Sequence, residues 1–162
     1  MSAAVLILAI GNPSRGDDAL GPLLCGRLAE WLENAGLTAG FELIEDFQLQ
    51  IEHALDLVGR QLVVFIDAGQ NTPAPFIFRQ IAPSTAIAHT THALSPEAVL
   101  QVYCQTEGGQ PPPAFVLCVR GEDFGLGEAL TVSAAQAADQ ALDFLAERCR
   151  QPELQAWQQA QR

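Results

Sequence analysis

The stretch that decides the fold is residues 4–24, AVLILAIGNPSRGDDALGPLL. Val5 to Ile10 form a continuous apolar run, which is typical of a strand buried on both faces. Gly11-Asn12-Pro13 ends this run, because proline donates no backbone N–H and glycine permits a sharp turn. Apolar residues then recur at helical spacing, at Leu20, Leu23, Leu24, Leu28, Trp31 and Leu32. The stretch therefore predicts a strand, a loop and a helix.

Two adjacent acids, Asp17 and Asp18, lie in the predicted loop. Ligands of open α/β sheets collect beyond the carboxyl ends of the strands, where this loop is expected. Acids that open a helix also cap its free N–H groups and favour the positive end of its dipole. Both interpretations stay open on spacing alone, although only one acid is needed as a cap.

The composition bounds the class of protein. The chain has 162 residues and a net charge of −11, and all eight of its basic residues are arginines. An acidic surface repels phosphate backbones, so we expect no nucleic-acid partner. The apolar runs are shorter than the roughly 20 residues of a membrane span, and no signal peptide is recognisable, so we predict a cytoplasmic protein. The four cysteines form no CxxC pair and are expected to be small buried hydrophobes rather than a zinc site.

The rest of the chain alternates predicted strands with predicted helices. Further strands are predicted at 41–45, 61–67, 76–80 and 114–119, and the short link before 76–80 predicts an antiparallel neighbour. Helices are predicted at 49–58, from Ser95-Pro96 onward, and from a capping box of Ser133 and Gln136 to about Arg148. We predict a single three-layer α/β domain over residues 1–150, with a twisted, mostly parallel mixed sheet of about five strands between helices. Residues 151–162 are predicted to be a polar tail.

Metal-ligating residue types occur at several predicted loop positions. Asp67 directly follows a five-residue apolar run, and a carboxylate at the carboxyl end of a strand is a frequent working group of α/β enzymes. His92 lies just before a predicted helix; His89 and His53 carry no further signal. The common phosphate-loop, GxGxxG, HExxH and GxSxG motifs are absent from the sequence. Asp18, Asp67 and His92 together would suit a borderline ion such as nickel or zinc.

Three elements in order resemble the hydrogenase maturation proteases, which are nickel-dependent endopeptidases of [NiFe] hydrogenases. The first is Gly11-Asn12, a four-residue spacer, and then 17–21, DDALG. The second is the strand ending Ile66-Asp67-Ala68, and the third is the His92 loop that runs into Ser95-Pro96-Glu97. Any one of these elements is weak, but all three in order are specific, and the resemblance covers about residues 4 to 149.

The resemblance implies both a site and a substrate. In that family the matching residues, here Asp18, Asp67 and His92, bind metal and carry catalysis. The implied partner is the large-subunit precursor, cut near its C-terminus after a basic residue once nickel has been inserted. The nickel is expected to come with the substrate, and the enzyme is expected to be a monomer.

The sequence departs from the common family pattern at three places. Ala9 and Ala19 replace glycines, and 46–50, DFQLQ, replaces a glycine-rich loop, which puts specificity in doubt more than activity. With this loop the chain resembles the members of the family that process soluble, NAD-reducing hydrogenases. One alternative is a non-catalytic nickel-binding checkpoint that uses the same three residues. Another is peptidyl-tRNA hydrolase, which residues 8–13 resemble, but the nearest following histidine is His53 and the acidity disfavours tRNA.

Overall fold

The computed structural model describes residues 3–85 and 94–162. Its strands are β1 (Val5–Ile10), β2 (Phe41–Asp46), β3 (Leu62–Gly69), β4 (Phe76–Ile81) and β5 (Ala114–Arg120). Its helices are α1 (Leu20–Ala35), α2 (His53–Asp56), α3 (Pro96–Glu107), α4 (Val132–Arg150) and α5 (Leu154–Gln159), and short 3-10 turns precede α1 and β2.

The five strands form one sheet in the order β2-β1-β3-β5-β4. β1 pairs in parallel with β2 and β3, and β3 pairs in parallel with β5. β4 pairs antiparallel with β5, as the short connection between β3 and β4 predicts. The prediction of a mixed, mostly parallel five-stranded sheet is therefore confirmed.

Every side chain of β1 is buried, because helices cover both faces of the sheet. Val5, Ile7 and Ala9 pack into a core with α1, α4 and α5. Leu6, Leu8 and Ile10 alternate with them and pack into a second core with α2 and α3. This alternation is the two-residue period of a strand, and it produces the three layers of the domain.

Two predicted helix signals differ from the structure. The helix expected at 49–58 is reduced to α2, flanked by turns. Over 50–55 the backbone N–H groups bond to the carbonyl three residues earlier rather than four, and the N–H of Gln50 donates to Nδ1 of His53. The capping box predicted at Ser133 is wrong: Thr131 caps α4, and its hydroxyl accepts from the N–H of Ala134 at 3.2 Å. The cap predicted at Ser95 is confirmed, with a hydroxyl acceptor for Ala98 N–H at 3.1 Å.

Residues 151–162, expected as a polar tail, pack against the domain. α5 buries Trp157 completely, and the indole ring contacts Phe78 and Phe115. Arg162 and Phe78 exchange backbone hydrogen bonds of 2.7 and 2.9 Å, so the chain end extends the edge of the sheet beside β4. A single tryptophan in a polar segment is a weak pattern, which is why periodicity does not reveal this packing.

No helix in residues 3–85 and 94–162 combines the length and apolar character needed to cross a bilayer. The four cysteines are all free; Cys25 and Cys149 are buried, while Cys104 and Cys118 are partly exposed. The expectation of small buried hydrophobes therefore holds for Cys25 and Cys149 and is wrong for Cys104 and Cys118.

Candidate active site

The loop between β1 and α1 is tightly folded around two glycines. A Cβ atom at Gly11 would lie 2.0 Å from the carbonyl oxygen of Asp18, and Gly11 has a φ of +153°. A Cβ atom at Gly21 would lie 2.2 Å from the carbonyl oxygen of Ile10. Only glycine permits these approaches, so the loop places Asp18 against the carboxyl end of β1.

Asp17 and Asp18 have different environments although they are adjacent. Asp17 is fully buried and accepts hydrogen bonds from the backbone N–H groups of Glu122, Asp123 and Thr131 and from the Thr131 hydroxyl, at 2.7 to 3.2 Å. Burial alone would raise the pKa of Asp17, but these hydrogen bonds together lower it below its usual value of 3.8. Asp17 therefore holds the loop in place, and neither acid caps α1 through its side chain.

Asp18 remains partly exposed and points one oxygen at its own loop. Its Oδ2 accepts the backbone N–H of Asn12 at 2.7 Å. Among the described residues its Oδ1 has no hydrogen-bond donor, so that oxygen is available to a ligand. A carboxylate fixed through one oxygen is already oriented before a ligand binds.

Asp67 lies at the carboxyl edge of the sheet, one position beyond the last pairing of β1 with β3, between Ala9 and Ile66. Its Oδ1 accepts the backbone N–H of Ala68 at 2.8 Å. Burial raises the pKa of Asp67 to about 7; the Ala68 hydrogen bond opposes this shift, and the negative charge of Asp18 adds to it. The two predicted site carboxylates are therefore close enough to interact electrostatically.

A cleft of about 440 Å³ opens beside Asp18. Polar and charged side chains form most of its wall, namely Asn12, Arg15, Asp18, Asp46, Phe47, Gln48 and Gln50. The wall thus combines the β1–α1 loop with the 46–50 segment in which the sequence departs from the family pattern. Phe47 is the apolar exception, and two thirds of its surface is exposed.

The third predicted ligand, His92, lies outside the described residues, as does His89. The helix that follows, α3, begins where the sequence predicts. No group of three metal-ligating side chains is found within residues 3–85 and 94–162, so the Asp18, Asp67 and His92 set stays a prediction. Carboxylate oxygens with imidazole nitrogen remain a donor set that suits nickel.

His53 is a residue of the site that the sequence analysis does not single out. Its ring is buried and lies 3.3 Å from the carboxylate of Asp46, measured from Nε2 to Oδ2. Asp46 ends β2, beside β1, just as Asp67 approaches the end of β3 on the other side of β1. A strand-end acid followed by a histidine is the signal that could have indicated this pair.

Several solved structures with a similar fold are hydrogenase maturation proteases. The [NiFe] hydrogenase maturation protease HycI from Thermococcus kodakarensis KOD1 is 24% identical, with a TM-score of 0.70 over 91% of this chain and 93% of that one. The hydrogenase maturating endopeptidase HybD from E. coli is 20% identical, with a TM-score of 0.65 over 91% and 93%. The endopeptidase HycI from Escherichia coli is 17% identical, with a TM-score of 0.66 over 90% of each chain.

No protein-family model matches the sequence, and no curated protein matches it either. The solved structures cover nearly the whole chain, so the resemblance to hydrogenase maturation proteases is confirmed for the fold.

Proposed function

We propose that this protein is a nickel-dependent endopeptidase that removes the C-terminal extension of a [NiFe] hydrogenase large-subunit precursor after metal insertion. The observation that carries the proposal is the convergence of Asp18 and Asp67 at the carboxyl edge of a sheet that has the fold of hydrogenase maturation proteases. The acidic composition and the resemblance in three motifs support the same function. The protein acts in the cytoplasm, where the precursor is made.

In this proposal Asp18, Asp67 and His92 bind the nickel that the precursor already holds. In each of the two acids one oxygen accepts a backbone N–H, and the other oxygen has no hydrogen-bond donor among the described residues. The incoming metal brings positive charge to a pair of acids that repel each other when both are ionised, so binding relieves that repulsion. The site is therefore complete only when a loaded substrate is present.

Asp67 is also suited to proton transfer during peptide hydrolysis. Burial raises the pKa of Asp67 to about 7 in the metal-free protein, and a bound cation would favour the ionised carboxylate, which is the form that accepts a proton. The nickel would polarise the scissile carbonyl or activate a water, and a carboxylate of the pair would accept the proton of that water.

The test is the intact mass of a purified large-subunit precursor, nickel-loaded and nickel-free, after incubation with the protein. Loss of a C-terminal peptide from the loaded form alone is the expected result. The Asp18→Asn and Asp67→Asn variants should leave the precursor intact, whereas Asp139→Asn, at an exposed position on α4, should cut normally.

Other results would contradict the proposal in different ways. Stable binding of the loaded precursor without any loss of mass would indicate a non-catalytic checkpoint. Normal cutting by Asp67→Asn would show that the site is assigned to the wrong residues.

A further inference from the structure

His53 is held in one orientation by its surroundings. It lies at the start of α2, with only 6% of its surface exposed, and its neighbours Ala54 and Leu57 are buried in the core beneath β1. Its Nδ1 accepts the backbone N–H of Gln50 at 2.8 Å. A nitrogen that accepts a hydrogen bond carries no proton, so this contact assigns the proton of the neutral ring to Nε2.

The Nε2 atom, which carries the N–H of the neutral ring, lies next to Asp46. The distance from Nε2 to Oδ2 of Asp46 is 3.3 Å, and Oδ1 of the same carboxylate accepts the backbone N–H of Phe47 at 2.7 Å. The Asp46 side chain is nevertheless 40% exposed, and it lines the cleft that also contains Asp18. One side of the carboxylate is thus fixed by the protein, and the other side faces the cleft.

Asp46 is also tied to the loop that carries Asp18. The backbone N–H of Gly11 donates to the carbonyl of Asp46 at 3.0 Å, and Ile10 pairs with Asp46 in the sheet. Gly11 in turn contacts the carbonyl of Asp18. The position of Asp46 relative to Asp18 is therefore set by the pairing of β2 with β1 and by the close packing of Gly11 against Asp18.

We propose that His53 is a positioning residue that fixes the Asp46 carboxylate toward the cleft, where Asp46 receives a positively charged group of the precursor. This inference rests on the proposed function. A carboxylate is an acceptor-only group with about four lone-pair sites. The N–H of Phe47 occupies one site on Oδ1 of Asp46, and Nε2 of His53 contacts the other oxygen at 3.3 Å. Among the described residues Asp46 forms no ion pair with an arginine, although Arg15 lines the same cleft, so its negative charge is available to a substrate cation.

Two substitutions separate the two contacts of His53. His53→Gln keeps an amide N–H near the position of Nε2 and loses the acceptor for Gln50. His53→Asn keeps an acceptor near the position of Nδ1 and loses the donor to Asp46. If His53 only stabilises α2 through Gln50, His53→Asn should retain more activity than His53→Gln. If His53 positions Asp46, His53→Gln should retain more activity than His53→Asn.

The experiment measures kcat and KM on the nickel-loaded precursor, with the thermal midpoint of each variant as a control. We expect Asp46→Asn to raise KM by about tenfold with kcat nearly unchanged, as for a lost hydrogen bond to a charged group. His53→Asn should raise KM at least about threefold, and His53→Gln should stay closer to the original enzyme. In an Asp46→Asn background, His53→Asn should have no further effect on KM.

The positive charge on the precursor has two sources, and a second substrate distinguishes them. If a loaded precursor with glutamine in place of the basic residue before the scissile bond is insensitive to Asp46→Asn, the basic side chain is the partner. If that precursor still responds about tenfold, the partner is the nickel centre. Equal KM values for His53→Asn and the original enzyme would overturn the inference while leaving the proposed function intact. Failure of the original enzyme to cut any loaded precursor would overturn the proposed function itself.

Discussion

The hydroxyl of Thr131 donates to Oδ2 of Asp17 at 2.7 Å and so connects the β1–α1 loop to the N-terminus of α4. The same hydroxyl caps α4 by accepting from Ala134. The backbone N–H of Asp17 completes the connection by donating to the carbonyl of Asp123 at 2.7 Å. The loop that carries Asp18 is therefore held by β1 on one side and by the contacts of Asp17 on the other. These contacts orient Asp18, although no hydrogen bond among the described residues joins its side chain to α4.

Replacement of Asp17 by alanine should lower the free energy of unfolding by about 3 kcal/mol or more, because several buried N–H groups would lose their charged acceptor. Urea unfolding monitored by circular dichroism measures this change. The control is Asp139→Ala, which breaks an exposed ion pair with Arg27 and should cost less than about 1 kcal/mol. Equal midpoints for the two variants would show that Asp17 is not a structural residue.

The contribution of Asp17 should also depend on pH. Its pKa is lowered on folding from the usual value of 3.8, so its stabilising effect is fully present above pH 4 and is lost as the pH falls through the lower, folded pKa. The difference in unfolding free energy between the original protein and Asp17→Ala should therefore shrink from pH 5 to pH 2.5. A difference that stays constant over this range would contradict the assigned hydrogen bonds.

Asp67 should have the opposite effect on stability. Its pKa is raised from 3.8 to about 7, so burial of its charge costs stability progressively as the pH rises from about 4 to above 7. In metal-free protein Asp67→Asn should therefore be more stable than the original at pH 8, by about 4 kcal/mol, and nearly equal to it at pH 4. Urea unfolding at both pH values, with a chelator present, measures this difference.

The stability of Asp67→Asn at pH 8 shows whether burial of the charge or the Ala68 hydrogen bond dominates at this position. If Asp67→Asn is inactive but more stable at pH 8, the carboxylate is retained for chemistry at a cost in stability. If the variant is less stable at pH 8, the Ala68 hydrogen bond outweighs the burial of the charge, and the raised pKa is wrong.

His92→Ala should abolish processing of the loaded precursor, because the imidazole is the only nitrogen ligand of the predicted set. The far-ultraviolet circular dichroism spectrum should be unchanged. His89→Ala is the matched control, since it changes a histidine three residues away in the same segment, and it should retain normal processing. Normal processing by His92→Ala would remove His92 from the proposed site.

The sequence allows the fold to be predicted because its strands are apolar runs with clear ends. β1 and β3 are identified by continuous apolar runs of strand length, and glycine and proline at 11–13 locate the turn after β1. Asp67 can be placed at the carboxyl edge for the same reason, since it directly follows such a run. These are local signals, and each predicts a local structure.

Long-range contacts are what the sequence does not reveal. The acceptors and donors that distinguish Asp17 from Asp18 come from residues 122–131, more than 100 positions away, so spacing could not decide which acid is structural. The contact of His53 with Asp46 depends on a bend at 47–50 that has no regular period. Trp157 is similar, because its partners are on β4 and β5.

The last twelve residues should behave as part of the domain. Trp157 is completely buried, and its indole N–H donates to the carbonyl of Arg148 at 3.0 Å. Replacement by alanine should lower the unfolding free energy by about 3–5 kcal/mol, since it leaves a large cavity against Phe78 and Phe115. Gln155→Ala, at an exposed position of the same helix, should change it by less than about 0.5 kcal/mol. Urea midpoints measure both values, and a Trp157→Ala midpoint equal to that of Gln155→Ala would mean that α5 does not contribute to the core.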